Sequence, residues 1–264
     1  MPTPSSARMH DFEVVSNKPI AEGIYELVIN APKLASAIKP GQFVNIAVPG
    51  DASSLLRVPL SYASADAQAG TVTLWYAVVG ADTERLSQMR PGDTSNLLGP
   101  GGRGWNVPAE AGRALLVAGG IGVPPVLCAA RACAEAGVAF DVCVGAATAG
   151  KVVGIDDFKA LGAQSVALTT DDGTAGQQGF VTELVANLLA QNSYGYIATC
   201  GPAVMMQNVA EQAKAAGVFC EVSLERMMSC GFGACNTCNV QIVDGMKGAC
   251  MCGPVFDASK VVVF

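Results

Sequence analysis

The chain has 264 residues, of which 51% are hydrophobic and 14% charged, enough apolar side chains for two compact domains and a small appendage. A formal net charge of −6 and a pI near 4.8 exclude nucleic acid and anionic membrane surfaces as predicted partners. No uninterrupted apolar run reaches the length of a membrane span, and the N-terminus lacks the apolar core of a signal peptide, so we predict a cytoplasmic protein.

Residues from about 11 to 106 are predicted to form a closed antiparallel barrel. Period-two alternation predicts strands at residues 24–29, 42–48 and 71–79, with Pro-Gly turn signals at 40–41 and 91–92. One helix is expected at residues 83–89. The only histidine, His10, is expected in a frayed terminus, so histidine base chemistry is not predicted, and electron or hydride transfer by cofactors is favoured.

One strand of the predicted barrel carries the sequence Arg57-Val58-Pro59-Leu60-Ser61. A proline-stiffened extended strand can present backbone amides to a flavin ring. Arg57 would then meet a phosphate, and Ser61 would hydrogen-bond near the reactive edge of the ring. An ordinary strand with one exposed arginine fits the same residues.

From residue 107 onward, strand and helix patterns alternate, which predicts a doubly wound parallel sheet. Its first strand, 114–117, runs into a turn in which we predict nucleotide contacts at Gly119, Gly120, Gly122 and Pro124. Glycines let a pyrophosphate approach the backbone at a helix N-terminus, where the free N–H groups and the dipole favour an anion. Pro125 replaces the third glycine of the usual dinucleotide fingerprint, and a ligand-free glycine turn is the alternative.

Two later strand ends are further candidates, because ligands of such sheets bind outside the carboxyl ends of the strands. At one end, Asp171 and Asp172 would accept the ribose hydroxyls of NAD and repel the additional phosphate of NADP. At the other, Cys200 and Gly201 precede a helix, and Cys200 would lie near the nicotinamide. A buried core position is the alternative for this cysteine. No other catalytic side chain is predicted.

Five of the ten cysteines lie in the last 35 residues. Cys230, Cys235 and Cys238 have gaps of four and two residues, with Cys250 and Cys252 downstream, which is the plant-type spacing of a [2Fe-2S] cluster. A zinc site is one alternative, although zinc usually takes paired C-x-x-C units. Disulfides are disfavoured in a cytoplasmic protein. Four other cysteines are expected in the core, namely Cys128, Cys133, Cys143 and Cys220.

The order of these parts resembles the ferredoxin reductase superfamily. Four motifs carry the resemblance: Arg-x-Pro-Leu-Ser at 57–61, Gly-Gly-Ile-Gly-Val-Pro-Pro at 119–125, Cys-Gly-Pro at 200–202 and C-x4-C-x2-C at 230–238. Within the superfamily, the chain is similar over nearly its entire length to the electron-transfer subunits of NAD-dependent (class B) dihydroorotate dehydrogenases. Further matching motifs are Thr-Asp-Asp-Gly at 170–173, Gly-Phe-Val-Thr at 179–182 and Gly-Pro-Val-Phe at 253–256.

The resemblance implies an FAD-binding barrel at 1–107, a doubly wound NAD-binding domain at 108–219 and a small [2Fe-2S] domain at 220–264. It also implies a separate FMN-containing dihydroorotate dehydrogenase catalytic subunit as partner, in a heterotetramer. The implied flavin contacts are Arg57, Val58, Pro59, Leu60, Ser61, Trp75, Tyr76, Ala77, Asp82 and Thr83. The implied cluster ligands are Cys230, Cys235, Cys238 and Cys250.

Three positions depart from the family pattern. Val58 and Ala77 stand where the family has arginines, so Arg57 alone, a backbone amide or the loop at 99–104 must hold the flavin phosphates. Arg-Val-Pro-Leu-Ser is also similar to the small flavoprotein subunit of an NADH-dependent ferredoxin:NADP oxidoreductase. Cys252 stands where aspartate is common, so it competes with Cys250, which the register of the Gly-Pro-Val-Phe motif favours.

The resemblance therefore implies an electron-transfer flavoprotein subunit of an NAD-linked oxidoreductase. Electrons would pass from a partner's FMN through the cluster and FAD to NAD⁺, in the oxidation of dihydroorotate to orotate. One alternative keeps the cofactors and changes the partner to a larger ferredoxin- or NADP-linked subunit. Another is a zinc-binding interaction module that is not an enzyme.

Overall fold

The first part of the structure is a closed barrel of six antiparallel strands, which confirms the predicted barrel. The computed structural model describes residues 7–50 and 56–264. Residues 1–6, part of the N-terminus for which no signal peptide is predicted, lie outside the described residues. The strands are β1 (Arg8–Ala21), β2 (Ile24–Asn30), β3 (Phe43–Ile46), β4 (Val58–Asp66), β5 (Thr71–Ala77) and β6 (Thr94–Gly101). Their order around the barrel is β1-β2-β5-β4-β3-β6. Helix α1 (Pro32–Ala35) follows β2, and α2 (Ala81–Ser87) follows β5.

The second part is a seven-stranded sheet in the order β10-β9-β8-β7-β11-β12-β15. Six of its strands are parallel: β7 (Arg113–Gly119), β8 (Ala139–Ala146), β9 (Ser165–Thr170), β10 (Gln177–Gln178), β11 (Tyr196–Cys200) and β12 (Phe219–Ser223). The connecting helices are α3 (Val123–Ala136), α4 (Ile155–Ala160), α5 (Val181–Gln191) and α6 (Ala203–Ala215). The strand order reverses between β7 and β11, and ligands of open α/β sheets bind at such a switch point.

The C-terminal part packs onto this sheet. It contains the hairpin β13 (Asn239–Ile242) and β14 (Gly245–Gly248), then α7 (Ala249–Cys252) and β15 (Val255–Asp257). Strand β15 pairs antiparallel with β12 and so becomes the edge strand of the sheet. The boundary predicted between residues 219 and 220 falls inside β12, and the domain limits stay predictions.

Two hydrophobic cores hold these parts together. In β7, Leu116 faces the core that the sheet shares with the barrel, whereas Leu115 and Val117 face the core that it shares with the C-terminal part. This alternation follows from the period of two in a strand, so a sheet covered on both faces reads as a continuous apolar run. The four cysteines predicted as core residues are buried, as expected.

One local prediction is wrong. His10 is not frayed: it lies in β1, pairs with Leu97 of β6, and has its Nε2 atom 3.1 Å from the carbonyl of Gly99. Near the C-terminus, an isolated bridge joins Val261 to Ile242. None of the helices in the described ranges is long and apolar enough to cross a membrane.

Candidate functional site

Two adjoining cavities open where the barrel meets the sheet. The barrel cavity, about 390 Å³, lies between β4, β5, the N-terminus of α3 and residues 223–228. The sheet cavity, about 700 Å³, lies at the carboxyl ends of β7, β8 and β9. Ala77, Val79 and Ile121 line both cavities, so the two spaces meet at an apolar wall.

The barrel cavity gathers most of the residues predicted to contact a flavin. The predicted flavin contacts that line it are Val58, Pro59, Leu60, Ser61, Trp75, Tyr76, Ala77 and Thr83. Pro124, predicted as a nucleotide contact, also lines this cavity and not the sheet cavity. Phe43 also lines the barrel cavity, and sequence reasoning missed this residue. In the β3–β4 pairing, Phe43 stands opposite Ser61. Residues directly opposite in a ladder project from the same face, so the side chains of Phe43 and Ser61 lie side by side.

Arg57 does not line the barrel cavity; Asn96 of β6 holds its side chain. Arg57 Nη2 donates to Asn96 Oδ1 at 2.6 Å, and Nη1 donates to the Asn96 carbonyl at 3.2 Å. Burial lowers the pKa of Arg57. Contact of Arg57 with a flavin phosphate stays a prediction.

Thr83 and Asp82 play different parts at the start of α2. Thr83 is buried, and its hydroxyl accepts from the backbone N–H groups of Val79 and Gly80 at 2.9 and 3.1 Å. Asp82 forms a 3.4 Å ion pair with Arg85 and is not among the residues that line the cavity. Thr83 therefore fixes the loop that carries Val79 to the junction of the cavities.

The three glycines predicted to bind a nucleotide have distinct surroundings. Gly119 and Gly120 line the sheet cavity, and a side chain at Gly120 would meet no atom within 4 Å. Gly122 lies instead against the backbone of Cys200, where an added Cβ would collide with the carbonyl oxygen. Gly120 is thus placed to face a ligand, whereas Gly122 is required by the close approach of β11.

Asp171 and Asp172 are separated by the structure. Asp171 lines the sheet cavity. Asp172 turns away and accepts hydrogen bonds from the Thr174 hydroxyl and N–H at 2.6 and 3.0 Å, and these bonds lower the pKa of Asp172. Lys151 also lines the sheet cavity and places a cation in the same space; sequence reasoning missed it.

Cys200 is a buried residue of β11 and lines neither cavity. Its thiol donates to the carbonyl of Ser223 at 3.3 Å, and burial raises its pKa. Gly201 also lines neither cavity. It packs closely against Gly119, since a Cβ added at Gly201 would lie 3.0 Å from the Cα atom of Gly119. This cysteine therefore acts as a core residue of the switch point in this structure.

The cysteine loop, residues 230–238, and the downstream Cys250 present their thiols as two pairs. The N–H of Ala234 donates to Cys230 Sγ at 3.3 Å. Hydrogen bonds from Thr237, and then from Cys230, lower the pKa of the exposed Cys235 thiol to about 6. Cys230 and Cys235 thus form one pair within reach of each other.

Cys238 and Cys250 form the second pair. The N–H of Cys250 donates to Cys238 Sγ at 3.4 Å, and both sulfurs lie 3.9 Å from a Cβ added at Gly248. Burial, followed by a hydrogen bond with Cys238, raises the pKa of Cys250 to about 12. Cys252 is half-buried at the end of α7.

Comparison with known proteins decides the family. Residues 225–262 match the model of the iron-sulfur cluster binding domain of dihydroorotate dehydrogenase B. A Geobacillus thermodenitrificans protein named dihydroorotate dehydrogenase B (NAD(+)), electron transfer subunit, is 39% identical over 95% of this chain and 97% of its own length. Its Desulforamulus reducens namesake is 34% identical over 97% of this chain and 99% of its own length. The chain belongs to the family of dihydroorotate dehydrogenase B electron transfer subunits.

Solved structures confirm the fold predicted for this electron transfer subunit family member. A structure of the NADH-dependent reduced ferredoxin-NADP oxidoreductase, from a study of flavin-based electron bifurcation, superposes with a TM-score of 0.87 at 32% identity. The match covers 95% of this chain and 89% of that chain. A ferredoxin reductase of carbazole 1,9a-dioxygenase has a TM-score of 0.67 at 21% identity, over 80% of this chain and 67% of its own, which shows the fold alone.

The thiols of this dihydroorotate dehydrogenase B family member suit a two-iron cluster. Each iron of a [2Fe-2S] cluster takes two thiolates beside the bridging sulfides, so the ligands stand as two pairs. In residues 7–50 and 56–264, no three His, Cys, Asp or Glu side chains converge on a single-ion site. Backbone N–H groups already point at Cys230 and Cys238, as is usual around cluster sulfurs. The donor set therefore fits the predicted cluster.

Proposed function

We propose that the chain carries electrons between the FMN of a dihydroorotate dehydrogenase catalytic subunit and NAD⁺, with FAD and a [2Fe-2S] cluster as its own cofactors. The overall reaction is the oxidation of dihydroorotate to orotate with reduction of NAD⁺. Bound FAD supplies the conversion between one-electron and two-electron transfer, which an iron-sulfur cluster and a nicotinamide lack. The cytoplasm is the proposed compartment, because a chain whose cysteines are core residues and cluster ligands, with no disulfide among them in the described part of the chain, suits a reducing environment.

One observation carries the proposal: the three candidate sites are consecutive in space. The sheet cavity adjoins the barrel cavity at Ala77, Val79 and Ile121. Phe43 lines the barrel cavity from β3, and Asn45, two residues along the same strand, contacts Gly231 of the cysteine loop. A nucleotide, a flavin and a cluster in these places would form one chain of neighbours.

The barrel residues would hold the flavin mainly through backbone and hydroxyl groups. Strand residues 58–61 are extended and line the cavity, and β4 pairs with β5 only from Tyr62 onward, so the N–H groups on that edge, other than at Pro59, are available to a ring. The Ser61 hydroxyl is the polar side chain of this stretch. Arg57, already oriented by Asn96, would supply the charge for phosphate. Buried Thr83 keeps the loop at 79–83 folded against the site.

The sheet residues would hold NAD at the N-terminus of α3. This helix begins at Val123, directly after the open Gly120 turn, so the positive end of its dipole and the N–H groups of residues 120–123 favour a pyrophosphate, whereas Pro124 and Pro125 donate none. Asp171 would accept ribose hydroxyls, because it is the carboxylate of its pair that lines the cavity. Asp172 instead stabilises the turn after β9, by accepting hydrogen bonds from Thr174.

The catalytic subunit would dock on the exposed side of the cysteine loop. Residues 232–237 are exposed, and Phe232 keeps half of its surface in solvent. Other exposed apolar side chains are Met227, Val243, Met246, Val262 and Val263. A backbone hydrogen bond from the Val262 N–H to the Gln241 carbonyl, and a bond from the Arg226 guanidinium to the Val263 carbonyl, join these segments into one surface. Clustered exposed apolar residues mark interaction sites.

A second partner remains an alternative, since the NADH-dependent ferredoxin-NADP oxidoreductase structure has the same fold at 32% identity. Co-purification separates the two: an FMN-containing barrel protein supports dihydroorotate chemistry, and a large iron-sulfur flavoprotein supports the alternative. Family relatives at 34–39% identity favour the former.

The test is an anaerobic absorption spectrum of the purified chain, with iron, acid-labile sulfide, zinc and flavin quantified on the same sample. We expect two irons, two sulfides and one FAD per chain, bleached by NADH. The isolated chain should reduce artificial acceptors with NADH and should leave dihydroorotate untouched. Zinc without flavin, or dihydroorotate oxidation by the chain alone, would overturn the proposal.

A further inference from the structure

Asn45 is a buried polar residue of the barrel wall that the flavin and nucleotide sites leave unexplained. It lies in β3 with 3% of its surface exposed. Its Nδ2 atom has no hydrogen-bond partner within residues 7–50 and 56–264. Buried amide groups are nearly always hydrogen-bonded, so an isolated donor at this depth indicates a missing acceptor.

The side chain of Asn45 points away from the barrel core and toward the cysteine loop. Its neighbours Val44 and Ile46 lie in the barrel core, and alternate residues of a strand face opposite sides. An added Cβ at Gly231 would lie 2.5 Å from Asn45 Nδ2 and 3.2 Å from Oδ1. The amide nitrogen therefore packs directly against the residue that follows the first predicted ligand, Cys230.

This contact explains why residue 231 is a glycine. Gly231 has a φ of +74°, a conformation that favours glycine, and the Asn45 amide fills the space that a side chain would need. Gly231 is buried, whereas the rest of the loop from 232 to 237 is exposed. The loop is thus anchored on the barrel at one end and open to a partner at the other.

The chemistry of the missing acceptor follows from the thiols. Four thiolates leave a [2Fe-2S] cluster anionic, and reduction by one electron adds another negative charge. An N–H donor stabilises the more negative form more strongly, and so raises the reduction potential. An anionic cluster would repel the amide oxygen of Asn45 at this place. This agrees with the structure, in which Nδ2 lies closer to the cysteine loop than Oδ1 does.

We infer that Asn45 Nδ2 donates a hydrogen bond to a sulfur of the cluster on the Cys230 side and raises the cluster's reduction potential. This inference rests on the proposed function. Asn45 is not among the residues that line the barrel cavity, whereas Phe43 of the same strand is. Both residues share the outer face of β3, but Asn45 lies farther along the strand, against Gly231 of the cysteine loop, so its acceptor lies at the cluster and not at the flavin.

The test compares the cluster potentials of the wild type and of Asn45→Leu and Asn45→Asp, by anaerobic redox titration followed by EPR. Leucine removes the donor, and aspartate keeps the shape but supplies no N–H. We expect the cluster potential of each variant to be more negative than that of the wild type. At a fixed applied potential, the ratio of reduced to oxidised cluster should fall at least tenfold, which corresponds to a shift of about 59 mV for one electron. The flavin potential should stay unchanged.

Asn17→Leu is the matched control, because it removes a barrel asparagine whose Nδ2 is already bonded to the carbonyls of Leu86 and Met89. It should leave the cluster potential unchanged. Where an Asn45 variant fails to assemble, ¹⁵N-asparagine-labelled Asn236→Gly/Asn239→Asp protein, which removes the two asparagines of the cysteine segment, replaces it, and pulsed EPR should show a ¹⁵N coupling and an exchangeable proton at the reduced cluster.

The outcomes separate this inference from the proposed function. If wild-type protein binds iron and sulfide but Asn45→Asp leaves the cluster potential unchanged, the inference is wrong and the function stands. A shift confined to the flavin potential also overturns it. Wild-type protein without iron and sulfide contradicts the proposed function itself.

Discussion

Arg57, immediately before β4, and Asn96 on β6 are joined by two hydrogen bonds, of 2.6 Å to the side-chain oxygen and 3.2 Å to the carbonyl. The two strands flank β3 in the barrel. Both guanidinium nitrogens of the fork are used, so the remaining N–H groups point in a fixed direction. The arginine assigned to flavin phosphates is therefore oriented by a residue far away in sequence.

Replacing Arg57 should weaken FAD binding. Charged hydrogen bonds contribute about 1.5–3 kcal/mol, so Arg57→Ala should raise the Kd for FAD by roughly ten- to a hundredfold. Asn96→Leu should have a smaller effect, because it removes only the orientation of the charge. Quenching of FAD fluorescence on titration into the apoprotein measures both.

The control for this prediction is Arg90→Ala, which removes an exposed arginine in the loop after α2. It should leave FAD binding unchanged. An unaltered FAD affinity in Arg57→Ala would mean that the loop at 99–104 or backbone amides hold the phosphates, and that Arg57 serves only the barrel.

The two acidic residues after β9 should differ in nucleotide selectivity. Asp171 lines the sheet cavity, so Asp171→Asn should lower the kcat/KM preference for NADH over NADPH by about tenfold, as expected for loss of about 1.4 kcal/mol of charge repulsion. Asp172→Asn is the matched control, because Asp172 is bonded to Thr174 instead. Steady-state reduction of an artificial acceptor gives both ratios. Equal effects at the two positions would contradict the assignment.

Much of the architecture could be predicted because its signals are local. Period-two alternation, the turn at 119–125 and the cysteine spacing each occupy a short stretch of sequence, and each depends on backbone requirements of that stretch. His10 was misread because its strand is defined by a partner, Leu97, at a distance in sequence. The sequence of one strand does not show which distant strand it pairs with when a barrel closes.

The missed site residues have the same physical origin. In the run Phe-Val-Asn-Ile of β3, Asn45 has the spacing of a solvent-facing strand position. The structure buries it because the cysteine loop covers the outer face of the barrel. Lys151 reaches the sheet cavity from the loop after β8, and no motif marks it. A polar residue within an otherwise apolar strand is the one sequence signal that could have singled out Asn45.

Asp141 should stabilise the sheet in a pH-dependent way. Burial alone would raise its pKa, but hydrogen bonds from Arg113, Ser165 and Tyr194 outweigh burial and lower the pKa below the ordinary value of 3.8. The closest contacts are 2.6 Å from Arg113 Nε and 2.6 Å from the Ser165 hydroxyl. A lowered carboxyl pKa means that the charged form stabilises the fold above the unfolded-state pKa, and that this is lost as the pH falls through the folded-state pKa.

Asp141→Asn should therefore lower the free energy of unfolding by about 2 kcal/mol at pH 7, since buried Asp141 loses charged hydrogen bonds while the partly exposed Arg113 stays solvated. The difference from wild type should shrink below about pH 4. Urea unfolding between pH 3 and pH 7 measures it. Asp156→Asn is the control: Asp156 is exposed and pairs only with exposed Lys159, so its effect should stay within about 0.5 kcal/mol. A pH-independent loss in Asp141→Asn would show that packing, not charge, is responsible.

Substitution of the two competing downstream thiols should identify the fourth cluster ligand. Cys250 is buried beside Cys238, whereas Cys252 is only half-buried at the end of the same short helix. Cys250→Ser should thus lose the [2Fe-2S] cluster, with iron and labile sulfide falling to near zero, while flavin stays bound in its separate cavity. Cys252→Ser should retain both irons and the EPR signal of the reduced cluster. Loss of the cluster in Cys252→Ser, with retention in Cys250→Ser, would reverse the assignment and require α7 to turn its other face toward the loop.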